Sequence, residues 1–165
     1  MFTKQQLSKS ISNEIRIIKH LATKIPAGQY HFKPTDSQRS MIELMQYMSF
    51  IGVAGTELIL TGDMTIFGPY TEASTHVHEE NFAEHMDKQD LAIQALLEKF
   101  TDEELAKEVD LFRMGNKTKS EYLVETVFKW FVAYKMQLFL YIKQSGNITI
   151  GTSNLWGGFD MPAAE

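Results

Sequence analysis

Four boxes in which a Ser or Thr is followed three residues later by Glu or Gln stand ahead of a helical pattern in this chain: Thr3-Lys-Gln-Gln6, Ser40-Met-Ile-Glu43, Thr101-Asp-Glu-Glu104 and Thr118-Lys-Ser-Glu121. Such a box satisfies two orphan amides at a helix start reciprocally, so each fixes where a helix begins. Thr3 opens a first helix with Leu7, Ile11, Ile15, Ile18, Leu21 and Ile25 at helical spacing until Pro26 stops it. Ser40 opens a second, carrying Leu44, Tyr47, Met48, Ile51, Ala54, Gly55 and Leu58 before Gly62 and Asp63 break the pattern. Its small residues Gly52, Ala54 and Gly55 permit a close neighbour. Phe82, Met86, Ile93, Leu96, Leu97 and Phe100 mark a third long helix. Thr101 starts a short helix ending near Val109, and Thr118 the last long one, expected to run to Gly146, a natural left-handed terminator.

The joints are less regular. Residues 26–39 hold two prolines and a glycine and read as a loop. Residues 61–80, TGDMTIFGPYTEASTHVHEE, mix Gly-Pro with hydroxyl residues and are expected to form a long covering loop between helices two and three. Beyond Lys129 the last helix is apolar on nearly every side, with Met136, Phe139 and Leu140 where Glu121, Glu125 and Lys129 would predict solvent. Something should cover that surface. The expected candidates are Ile148, Ile150, Leu155 and Trp156 of an irregular C-terminal tail, or a second copy of the chain.

With 165 residues and 44% apolar composition, one domain over residues 1–165 is expected. A net charge of −5 without any basic run argues against nucleic acid and against anionic membranes. The start MFTKQQLSKS lacks an apolar signal core, and no uninterrupted apolar stretch reaches membrane-spanning length. A soluble, cytoplasmic protein is expected. No cysteine is present, so any metal would rest on His and carboxylates.

The Ser-x-x-Glu-Leu helix start, the Thr-x-x-Glu-Leu short helix and the final Gln137-x-x-x-Tyr-Ile-x-x-x-Gly146 resemble the DinB-like (DinB/YfiT) superfamily across almost the whole chain. The tail Asn-Leu-Trp-Gly-Gly-Phe-Asp-Met-Pro resembles that of some members. The resemblance implies an all-α four-helix bundle. It also implies a divalent metal held by one histidine in helix two and a His-x-x-x-His pair in helix four, serving thiol transfer or isomerisation. Laid on this sequence, that pattern falls on Tyr47, Trp130 and Tyr134, with Met136 at a glycine position and Gln137 retained.

All three ligand positions are thus substituted. An indole nitrogen donates a hydrogen bond and has no lone pair for a metal. A phenol coordinates only as phenolate, scarce at neutral pH with a reference pKa of about 10. The rings therefore read as core that fills the space of a metal and its substrate. A second reading leaves a smaller pocket lined by Tyr47, Trp130, Tyr134 and Gln137 for an uncharged ligand. Two functions follow. One is a binding or interaction module without metal, homodimeric, with a small molecule as an expected partner. The other is a metal-dependent enzyme, an S-transferase or isomerase on a small thiol or electrophile, using Zn or Ni at a relocated site of His76, His78 and His85. His20 and His31 read as ordinary surface or partly buried groups. Glu43 reads as its own capping partner, and Glu57 as a carboxylate further along the same helix.

Overall fold

The computed structural model describes residues 3–111 and 113–162. The chain is mostly helical: α1 (Lys4–Ala22), α2 (Met41–Met48), α3 (Ile51–Thr61), a 3-10 turn (Met64–Ile66), α4 (Phe67–Ser74), α5 (Phe82–Glu98) and α6 (Asp102–Ala106) come first. A two-stranded antiparallel pair, β1 (Glu108–Asp110) and β2 (Asn116–Thr118), follows with Val109 opposite Lys117. A continuous run then passes through α7 (Lys119–Tyr122), a π segment (Leu123–Phe128) and α8 (Lys129–Gln144).

Three boxes close in full, at Thr3, Ser40 and Thr118. At the fourth, Thr101 accepts from the Glu104 amide, but the Glu104 carboxylate turns to Lys107 and Lys119 instead. Helix α1 presents Leu7, Ile11, Ile15, Ile18 and Leu21 to the core, where it packs on α5 and α8. Helix α3 packs on α5 and on the π segment, and its small residues explain the closeness. A Cβ added at Gly52 would lie 2.3 Å from the Phe131 ring, and one at Gly55 2.5 Å from the Trp130 ring.

The structure corrects the sequence reading in five places. Helix two is broken at Ser49 and Phe50 rather than continuous. The break is held by Gln89 of α5, whose Nε2 donates to the Met48 carbonyl at 2.8 Å while its Oε1 accepts from Gly52 (2.9 Å) and Val53 (3.2 Å). A buried side-chain amide has replaced two rungs of the helical ladder, which is a recognised cause of a kink. Second, residues 61–80 are not a loop throughout, because α4 forms there with Gly68 and Pro69 in its first turn, where proline loses no bond.

Third, the short helix stops at Ala106, and Val109 belongs to the strand pair. Tyr122 fixes that hairpin: its hydroxyl accepts from the Leu111 amide at 2.9 Å and lies 2.8 and 2.9 Å from the Leu111 and Gly115 carbonyls. Fourth, the last helix widens into π geometry before α8. Fifth, the tail covers α8 only in part. Ile150 and Leu155 are buried, whereas Ile148 is 77% exposed, and Met136 and Leu140 stay open to solvent.

Residues Met41–Thr61, though interrupted by Glu43, Gln46 and Glu57, have the length and mean hydropathy, 1.2, of a membrane-spanning helix, but 72% of that window is buried within the molecule. Its apolar surface is used in the core.

Candidate functional site

Helix α2 ends one residue after Tyr47, and α8 begins one residue before Trp130, so the break and the π segment both bear on where these rings sit. The rings of Tyr47 and Tyr134 meet edge to face, 5.2 Å between centroids at 80°. On the far side Tyr47 meets Phe50 in the same manner at 5.5 Å, and Phe50 stacks on Tyr70, 6.3 Å away and within 6° of parallel. The Arg39 guanidinium lies over the Tyr47 ring, 4.1 Å from its centroid, a cation–π contact. Trp130 packs into the notch left by Gly55. Tyr47, Trp130 and Tyr134 are all half-buried.

Of the four residues named from the sequence, Tyr47 and Tyr134 meet directly, while Trp130 lies against Gly55 of α3. Gln137 donates to the Tyr141 hydroxyl at 2.8 Å, within its own helix. A cavity of about 330 Å³ touches Tyr47, Arg39 and Phe50, but Trp130, Tyr134 and Gln137 are not in its lining. Burial and the neighbouring Tyr134 phenol push the Tyr47 hydroxyl up to about 12. Tyr70, half-buried and donating to Glu57 Oε2 at 2.9 Å, is likewise raised to about 12. Phenolate at either position is thus disfavoured beyond the ordinary tyrosine.

The donor set fits a divalent metal poorly: one indole that cannot ligate and two phenols, of which Tyr47 is held protonated. The relocated set fares no better. His76 and His78 are exposed, their backbone carbonyl and amide held by the Asn81 side chain at 3.0 and 2.8 Å, and His85 belongs to α5. Among the described residues no group of three His, Cys, Asp or Glu is placed to hold a metal ion. Glu43 is the reciprocal cap of Ser40, accepting from its amide at 2.6 Å, which lowers its pKa. A Glu–Tyr pair does form between Glu57 of α3 and Tyr70 of α4. His20 is bonded to Asn154 of the tail at 3.1 Å, and burial lowers its pKa.

Two features escaped the sequence reading. Gln89 is one. The other is an ion pair between Lys135 of α8 and Glu14 of α1, 2.6 Å apart with 1% and 11% of the side chains exposed, and capped by the Trp156 ring 4.8 Å from the ammonium. Helical spacing carried the signal. Lys135 lies on the stripe of Phe131, Leu138 and Ile142, and Glu14 on that of Leu7, Ile11, Ile18 and Leu21. The tail is further held on α1 by Arg16, which donates to the Gly157 and Gly158 carbonyls, and just past the end of that helix by Lys24, 2.6 Å from Asp160.

No family model matches the chain. It is 24% identical over 151 residues to the uncharacterised protein YjoA of Bacillus subtilis strain 168, covering 89% of this chain and 94% of that one. The crystal structure of a DinB-like protein, YjoA of Bacillus subtilis, superposes with a TM-score of 0.65 at 22% identity over 86% of this chain and 92% of that one. A structure assigned to the DinB family, from Exiguobacterium sibiricum 255-15, superposes with a TM-score of 0.70 at 15% identity, covering 92% and 96%.

Proposed function

We propose that this chain, which has the DinB-like fold, is a binding module that works without a metal at the position where the sequence resemblance expects one. The observation that carries the reading is the pair of Tyr47 and Tyr134 rings in edge-to-face contact, with the Tyr47 hydroxyl held protonated up to about pH 12. A cation placed there would have to displace that contact and strip a proton from a reluctant phenol. Neither gain nor geometry favours it. The metal-dependent enzyme built on His76, His78 and His85 finds no support in their placement.

The same reading gives the chain a second copy as partner through the exposed Met136 and Leu140, 37% and 47% open, and places it in the cytoplasm in keeping with a cysteine-free sequence. Sedimentation of the wild type against Met136→Lys tests the dimer.

Calorimetric titration with zinc and nickel tests the function. The wild type should give no heat of site binding, whereas Tyr47→His, Trp130→His and Tyr134→His together should gain metal binding and lose apo stability. A wild-type titration that saturates, and that Tyr134→Phe abolishes, would overturn the proposal.

A further inference from the structure

We propose that the groove between α3, α4 and α5 binds a small planar aromatic acid. Its volume is about 260 Å³. A dry cavity of roughly 150 Å³ already accepts benzene, so a one- or two-ring acid fits. Two aromatic side chains line it, Phe50 and Tyr70, stacked on one another within 6° of parallel, so rigid rings rather than aliphatic knobs meet an incoming ring. Ala92 lies in the lining too, and its small side chain leaves the groove wide.

The polar groups come from the helix break and from α5. In an unbroken helix the Val53 amide would donate to the Ser49 carbonyl. Here it donates to Gln89, and Ser49 is part of the groove. A carbonyl deprived of its helical donor is an acceptor for a ring N–H or O–H. Lys88, also in the lining, supplies the positive charge. It is paired with Glu84 at 2.6 Å, but both side chains are 65% exposed, and such a surface pair is cheap to exchange for a ligand carboxylate. An apolar slot with one cation and few directed polar groups is the usual form of a small-molecule site.

The groove takes no residue from α8, and Phe50, which packs on Tyr47, is the ring by which it borders the Tyr47–Tyr134 pair. It supplies the binding module with its site and rests on that reading only in needing no metal.

The test uses the full chain, treated with chelator, and indole-3-carboxylate against its neutral isostere indole-3-carboxamide, followed by calorimetry and amide chemical shifts. The acid is expected to bind with shifts centred on Phe50, Val53, Tyr70 and Ala92. Lys88→Gln should weaken the acid about two- to fivefold and leave the amide unchanged. Ala92→Phe, which fills the slot, should abolish binding. If its melt shows misfolding, Ala73→Leu, also a lining position, replaces it. Binding retained in the filled variant, equal affinity for acid and amide, shifts clustered elsewhere, or no binding at millimolar acid would each overturn the assignment. Binding of the acid only after zinc is added would instead contradict the metal-free reading while leaving the groove in place.

Discussion

Adding one methyl group at Gly55 reports directly on where Trp130 points. The new Cβ would lie 2.5 Å from Cζ3 of that ring, 3.3 Å from Cη2 and 3.3 Å from a Val127 methyl. Carbon atoms pack comfortably at roughly 3.5–4.0 Å, so the ring must retreat by about an ångström. Overpacking of that kind costs about 1–3 kcal/mol. Alanine replacing a mid-helix glycine contributes roughly 0.5–1 kcal/mol in the opposite direction. The expected net effect of Gly55→Ala in the wild type is a loss of up to about 2 kcal/mol, set by the larger of the two terms. In a Trp130→Ala background the clash is gone, and the same change should stabilise by up to about 1 kcal/mol. Urea unfolding of the four proteins gives the coupling, expected at about 1–3 kcal/mol. If Gly55→Ala stabilises both backgrounds equally, the Trp130 ring does not lie against α3 and the filled-site account fails.

Gln89→Leu removes three bonds to buried backbone groups, each worth about 1–3 kcal/mol when left unmade. Partial rezipping of the helix should limit the loss to about 3 kcal/mol, a melting drop of roughly 6–12 °C by calorimetry; a change under about 1 kcal/mol would mean the break persists without the amide. Lys135→Met should cost about 3–5 kcal/mol by stranding the Glu14 carboxylate, whereas Lys135→Met with Glu14→Leu should be near neutral, and chemical denaturation distinguishes them. Tyr47 and Tyr70 keep their protons to about pH 12 when folded, against 10.0 for an unperturbed phenol. The folded state therefore holds more protons between those values, so stability is fully present below pH 10 and falls as pH rises towards 12. The urea midpoint should drop less steeply over that window in Tyr47→Phe than in the wild type; parallel slopes would contradict the burial of that phenol.

What could be read from the sequence was local. Boxes at Thr3, Ser40 and Thr118 each involve four consecutive residues, and all three close as read. The grouping of Tyr47, Trp130 and Tyr134 came from a resemblance in order and spacing; of the three, the rings of Tyr47 and Tyr134 meet. The break at Ser49 was invisible because its cause, Gln89, lies some forty residues away and competes for amides that propensity assigns to the helix. The α4 helix was missed because Gly68-Pro69 reads as a breaker, yet proline in a first turn is compatible with a helix. The strand pair depends on Tyr122, from α7, holding the Leu111 backbone across a turn with left-handed Arg113 and Gly115, a contact that no local pattern signals. The Lys135–Glu14 pair was legible in principle, since both charges fall on stripes that are otherwise apolar, and a lone charge on a buried stripe calls for a partner.

The most direct measurement is the metal content of the untagged protein, purified without chelator or added ions and determined by mass spectrometry against protein concentration. Rings packed as Tyr47 and Tyr134 are here predict divalent metal far below one ion per chain. A stoichiometric ion that disappears in Tyr47→Phe with Tyr134→Phe would contradict the account.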